Sequence, residues 1–365
     1  MSSTTKALDA ADWLALSLVP KLGPRRIRRL VQSRQPWSAH LSSSQQHYYD
    51  YLRHGAGYDQ VLRPWLNWCE DRDSQGYGRT VLYPGHAAWP TLLDQIEDPP
   101  PILWAWGNLQ ALALPMLAVV GTRHPTSHGR VQAARFAQAF AEAGIGVVSG
   151  LALGVDGRAH HGALTAQGIT VAVLGGGVDV LYPRRHAHLR SCLLAAGGLL
   201  LSEHPPGSDV RPSHFPQRNR IITGLSHGVV VIEAACQSGS LVSARLALEQ
   251  NREVFALPGA VDNPQAAGCH TLIQQGAMLV TSPEEVLGEL TLCLSRPSAN
   301  VECNAPKEGM LAHLSSTPCS LDVLLARSGL SMAEGMTELL RLEMAGEVQA
   351  VTGGWRRYQD DAVSH

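Results

Sequence analysis

The sequence predicts an α/β protein built on a Rossmann-like, doubly wound parallel sheet, with a small helical domain before it and a winged-helix domain after it. Three observations carry that expectation. Between residues 116 and 280, short β-branched or apolar runs alternate with helical stretches, the written form of a parallel sheet with crossover helices. Three of the turns between them are rich in small or hydroxyl residues: Gly121-Thr122-Arg123, Gly175-Gly176-Gly177 and Ser238-Gly239-Ser240. Residues 306–365 then change to amphipathic helices and a terminal hairpin.

In chain order, residues 9–32 place Trp13, Leu16 and Leu18, then Ile27, Leu30 and Val31, at helical spacing on either side of a break at Pro20 to Pro24. The break, VPKLGPRR, is followed by Arg25, Arg26, Arg28 and Arg29 without an acid. Two readings stand equally: a helix-hairpin-helix whose turn amides approach a phosphate, or a helical unit with a solvated basic face. Residues 34–80 supply Tyr48, Tyr49, Tyr51, Trp65 and Trp68 to a small helical core, so 1–80 is expected as a helical domain resembling SAM or helix-hairpin-helix units. The proline-punctuated stretch from 81 to 108 reads as a connector laid against a larger domain at 81–290.

The strands of that domain are predicted at Met116–Gly121, Gly146–Ser149, Thr170–Leu174, Gly198–Ser202, Gly228–Glu233, Glu253–Leu257 and Ala277–Val280. Helical stretches such as 130–143 and 241–250 lie between them. Residues 291–305 read as a linker. The winged helix at 306–365 is expected as three helices, a Ser-Gly turn between the second and third, and a hairpin turn at Thr352-Gly353-Gly354.

Composition narrows function. No stretch of about 20 uncharged apolar residues occurs, so no membrane span is expected. The start, MSSTTKALDAADW, lacks a basic flank and apolar core, which predicts a cytoplasmic protein. Seven cysteines without a CxxC pair suit a reducing compartment. Of the 16 histidines, His124 and His128 have helical spacing but enclose Pro125, and no metal site is expected. The net charge of -2 gives no global attraction for nucleic acid, so any such binding has to rest on local patches.

In an open parallel sheet, ligands meet the carboxyl ends of the strands. There the three small-residue turns, with Gly121, Ser238, Gly239 and Ser240, form a candidate anion cradle of close backbone, hydroxyls and helix N-termini. None fits a GxGxxG fingerprint or a GxxxxGK[ST] loop, so no nucleotide cofactor is expected. The segment His214-Phe215-Pro216-Gln217-Arg218-Asn219-Arg220 adds guanidinium forks for phosphate and a ring for a base, with Arg211, Arg184 and Arg185 nearby. The structural alternative is an arginine buttress bridged to Glu203 or Glu233, with one of Arg218 and Arg220 structural and the other functional. Asp156 and His160, four apart, are expected to brace a helix rather than catalyse, and Cys236 and Cys269 to be inert thiols.

The runs VVGTR at 119–123, SGLALGVDGRAHHGAL at 149–164, TVAVLGGGVDVLYP at 170–183, FPQRNRIITGLS at 215–226 and SGSLVSARLALEQNREVFALPG at 238–259 closely resemble the DNA-processing protein A family, also called Smf. The resemblance implies a non-catalytic, homodimeric single-stranded DNA-binding protein that protects strands in natural transformation or recombination. It also implies partners: the RecA recombinase, loaded onto strands covered by single-strand-binding protein, and a dimer contact through the Rossmann-like domain. Carried over by motif, Arg123, Arg184, Arg218, Asn219 and Arg220 are expected at the DNA, with Phe215. Two departures stand out: Pro212 where some relatives carry lysine, with Arg211 as a substitute, and His270 where asparagine is usual. The third winged helix, MAEGMTELLRLEMAG, has only Arg341 as a base, which favours protein contact over groove reading. The competing class is a nucleotide phosphoribohydrolase of the lysine-decarboxylase-like type, but the stretch 233–242 carries hydroxyls and apolar residues where the catalytic acid of that class belongs.

Overall fold

The structure is a computed structural model that describes residues 8–32, 40–295, 313–314, 319–330, 332–344, 347–351 and 354–357. Residues 1–294 form one compact unit and 295–365 a second.

The chain opens with α1 (Ala10–Leu18), α2 (Pro24–Gln32), α3 (Ser43–His54), a π-turn at Tyr58–Leu62 and α4 (Arg63–Glu70). Asp9 and Asp12 close a capping box at the start of α1. Arg53 of α3 pairs with both, at 2.6 and 2.5 Å, so one cation ties two helices. This helical front does not stand apart. Trp13, Leu14 and Leu52 share a core with Val81 and Trp104 of the sheet, and Trp65 and Trp68 each meet Trp104 edge-on at 5.6 Å. Of the arginines in α2, Arg28 is spent on this junction, donating to the carbonyls of Asp94 and Ile96, and Arg25 pairs with Glu97 at 3.3 Å.

The sheet follows as β1 (Arg79–Leu82), α5 (Thr91–Asp94), β2 (Leu103–Gly107), β3 (Met116–Val120), α6 (Ser127–Glu142), β4 (Gly146–Ser149), α7 (Val155–Thr165), β5 (Thr170–Leu174), a 3-10 turn at Arg184–His186, α8 (Ala187–Ala195) and β6 (Leu199–Ser202). It continues with α9 (His214–Gly224), β7 (Gly228–Val231), α10 (Gly239–Glu249), β8 (Glu253–Ala256), α11 (Ala267–Gln274), β9 (Met278–Leu279) and α12 (Pro283–Ser295). The spatial order is β1-β2-β6-β5-β4-β3-β7-β8-β9. The seven strands from β3 to β9 are parallel to one another, and β1 and β2 add an antiparallel edge beside β6.

All seven strands expected from the sequence are present, Gly146–Ser149 and Thr170–Leu174 with the expected bounds and the other five trimmed at their ends. The connector expected at 81–108 is corrected: it holds β2, and β1 begins just before it. The linker expected at 291–305 also starts later, because α12 runs through Ser295, and residues 296–305 lie outside the described residues.

Every residue of β3, β4, β5, β6 and β7 is buried, which is why they read as unbroken apolar runs. One face packs Ala118, Val148, Val173 and Val231 on Ile221, Ala244 and Leu272. The other packs Leu117, Val119 and Val230 on Phe136, Phe140, Ala159 and Val286. Helices α6 and α7 touch backbone to backbone: a Cβ at Gly162 would fall 2.2 Å from Ala134 O. Connections leave β3 to one side for β4 and return to its other side for β7, so the sheet has a switch point between β3 and β7. No described helix is long and apolar enough to cross a membrane.

The second unit contains α13 (Leu321–Ser328), α14 (Met332–Met344) and the hairpin β10 (Val348–Val351) with β11 (Gly354–Arg357). Leu324, Leu339, Leu342 and Val348 form its core. Gly329, at φ 66, ends α13 in the left-handed conformation. The first expected helix of this unit is mostly outside the described residues, as are the turn residues 352 and 353.

Candidate nucleic-acid cleft

A cleft of about 690 Å³ opens at the switch point, between the loop after β3 and the start of α10. Gly121, Arg123, Phe215, Arg218, Asn219, Ser238, Gly239 and Ser240, all named from the sequence, line it together. At its mouth the Arg123 guanidinium lies 4.9 Å from the centroid of the Phe215 ring. Tyr182, 49% exposed, tilts against the same ring with centroids 5.7 Å apart. Cation and rings thus form one continuous platform, and Tyr182 was not among the residues picked from sequence. Its signal was only an aromatic after a strand-end loop, which single-sequence reading does not separate from a packing residue.

The floor is polar. Ser238 caps α10, its Oγ accepting from Ser240 N at 3.3 Å and lying 2.7 Å from Ser240 Oγ. Asn219 Nδ2 donates to Gly239 O at 3.5 Å, tying α9 to this helix start. Glycine at 121 is required by contact: a Cβ there would meet Val155 Cγ2 at 2.6 Å and Glu233 O at 2.8 Å.

The structure buries and pairs both members of the arginine motif. Arg218 is 6% exposed; it donates to Val173 O and lies 3.8 Å from Asp156. Its guanidinium lies flat on Gly150, where a Cβ would come within 1.8 Å of Nη1. Arg220 is 8% exposed and pairs with Glu203 at 2.6 Å and Asp98 at 3.4 Å. Only Arg218 of the two borders the cleft. Arg184 and Arg211 are exposed on the loops after β5 and β6 and are not part of the cleft wall. Glu233, the other acid considered as a buttress, instead holds the start of α6, accepting from Thr126 N at 2.8 Å and Thr126 Oγ1 at 2.5 Å.

Asp156 and His160 serve the loop after β4. Asp156 accepts from Gly150 N at 3.1 Å, and His160 Nε2 accepts from Leu151 N at 3.2 Å. Thr170 Oγ1 gives its proton to Val147 O, so the 2.7 Å contact with His160 Nδ1 must have the ring as donor. His160 is therefore neutral and protonated on Nδ1. Burial, with the charges of His186 and Arg218, pushes its pKa from 6.5 down to about 3. The unfolded chain takes up this proton first, so the stability contributed by the neutral ring is complete above pH 6.5 and lost as pH falls toward 3. Calorimetry of His160→Gln should show a shallower melting profile than wild type across that window. It should not be flat, because burial and its neighbours push His204 down to about 4.

The fold has counterparts among known proteins. The family model described as DNA recombination-mediator protein A matches residues 80–291, and the DprA winged helix domain model matches 295–354. The chain belongs to the DNA recombination-mediator protein A family. Protein Smf of Escherichia coli is 45% identical over 279 residues, 74% of this chain and 75% of that protein. Protein Smf of Synechocystis is 33% identical across 96% of this chain and 98% of its own length. The X-ray structure of DNA processing protein A from Streptococcus pneumoniae superimposes with a TM-score of 0.63 at 32% identity, covering 77% of this chain and 99% of that one. The Helicobacter pylori protein, described for its single-stranded DNA binding mode, superimposes with a TM-score of 0.53 at 29% identity, covering 59% of this chain and 96% of that one.

Both departures of this family member acquire a place. His270 braces the turn after β8, its Nε2 3.0 Å from Gly259 O. Pro212 lines the cleft mouth beside the exposed Arg211.

Proposed function

We propose that this chain binds single-stranded DNA across the carboxyl edge of its sheet without catalysing a reaction, acting in the cytoplasm as a homodimer. In this reading it protects strands during transformation or recombination and hands them to a RecA-type recombinase in place of single-strand-binding protein. The observation that carries it is the exposed Arg123–Phe215–Tyr182 platform over a floor of helix-start hydroxyls. Cations take phosphates, rings take bases of any sequence, and both stand at one cleft. The binding of a single strand by the Helicobacter pylori relative supports the same reading.

The hydrolase alternative has little to build on. The acid at the end of the β7 segment, Glu233, has both oxygens engaged by Thr126 and does not border the cleft.

Fluorescence anisotropy of a labelled oligonucleotide against a duplex competitor tests the proposal. Each phosphate neutralised on a single strand contributes about −0.7 to the slope of log affinity against log salt, so engagement of Arg123, Arg184 and Arg211 predicts a slope near −2 or steeper. Salt-independent binding would overturn the arginine–phosphate reading, and release of free base from nucleoside monophosphates would overturn the non-catalytic one.

A further inference from the structure

Outside the cleft, a second groove of about 670 Å³ runs along α6, bordered by Arg158 of α7 and by the start of α12, and Arg130 and Arg135 of α6 line it. Arg130 and Arg158 are exposed, and no carboxylate among the described residues lies within ion-pair distance of either. Arg135 shares its part of the groove with Glu284, on which its charge acts, and Glu142 on the last turn of α6 also lines it, so the unpaired cations are those at the helix starts.

The two helices that carry these arginines start beside the cleft loop. Helix α6 starts at Ser127, four residues after Arg123, and Arg130 N–H donates to the capping Thr126 carbonyl at 3.0 Å, which puts Arg130 one turn into that helix. Helix α7 starts at Val155, whose N–H donates to Thr122 O at 3.2 Å, and Arg158 N–H donates to Gly154 O, one turn into the second helix. One turn is about 5.4 Å of rise, so both arginines stand on the first turn of helices that start beside the loop of the platform arginine. The close backbone contact at Gly162 keeps the two helices, and hence the two arginines, on one narrow groove. Val131, 62% exposed, offers a small apolar surface between them.

We propose that this groove carries the phosphodiester backbone of the strand after it leaves the cleft, with Arg130 and Arg158 each taking one phosphate. The inference rests on the single-strand reading above and extends it: the cleft holds a short segment, and the groove is reached only by a longer strand. Charge complementarity selects the occupant, since the free cations are guanidinium groups in a shallow, open trough, the form that suits a polyanion followed along its length.

The test is the double variant R130A/R158A of the full chain, with anisotropy measured on an oligonucleotide of about 6 nucleotides and on one of about 25, lengths that bracket ordinary single-strand site sizes. Both side chains are exposed, so the variant should keep the wild-type melting temperature. The salt slope for the long strand should become about 1.4 shallower, two phosphates' worth, with the short strand unchanged. An unchanged slope on the long strand would overturn the groove while leaving the cleft intact. An equal loss on both lengths would place these arginines at the primary site and also overturn the extension. Absence of wild-type binding at either length would overturn the single-strand reading itself, and the groove with it.

Discussion

Phe215→Ala is expected to weaken single-strand binding by about 5- to 150-fold, because stacking of one base on an aromatic side chain is worth about 1–3 kcal/mol. The ring is only half-buried and outside the apolar clusters of the sheet, so its removal should leave the fold intact. Arg123→Ala should cost about 1.5–3 kcal/mol if its guanidinium makes a charge-assisted bond to a phosphate. The two losses should not add. With the guanidinium 4.9 Å from the ring centroid, each side chain positions the other, and the double variant should fall short of the sum by about 0.5 kcal/mol or more. Anisotropy on the four proteins of this cycle checks it. A folded Phe215→Ala variant that binds as wild type does would remove the platform as the base-stacking surface.

Arg218→Ala should act on stability before it acts on DNA. The guanidinium is the buried partner of Asp156 and the donor to Val173 O, so truncation leaves a buried carboxyl without its cation, a change that costs about 3–5 kcal/mol. For a domain of this size the loss corresponds to a melting temperature lower by about 6–20 °C. Arg218→Lys should not rescue it, because one ammonium on a flexible stem cannot lie flat on Gly150 while reaching both acceptors. Thermal unfolding decides between roles. A variant that melts as wild type does but no longer binds DNA would make Arg218 a direct phosphate ligand.

The parallel strands were legible because burial on both faces allows little but β-branched and small apolar residues, as in Met116–Val120 and Gly228–Val231. The antiparallel strands Arg79–Leu82 and Leu103–Gly107 were not, since they mix tryptophan, arginine and glycine and are half-exposed at their ends. Their pairing depends on β6 and on a helical front distant in sequence. The same limit applies to the site. Sequence singled out the arginine motif, but whether a guanidinium faces solvent or a carboxylate depends on chain segments brought together only by folding: Asp156 for Arg218, and Asp98 with Glu203 for Arg220. Arg130 and Arg158 read as ordinary helix-surface residues until α6 and α7 are seen side by side.

The two ends of the sheet are unequal. At β1 the helical front shares a core with Val81, whereas β9 has only two residues, with Met278 40% and Leu279 46% exposed. Hydrogen-bonding groups at such a border are a template for another strand. A strand of two residues offers few such groups, so any pairing through it is confined to a short stretch.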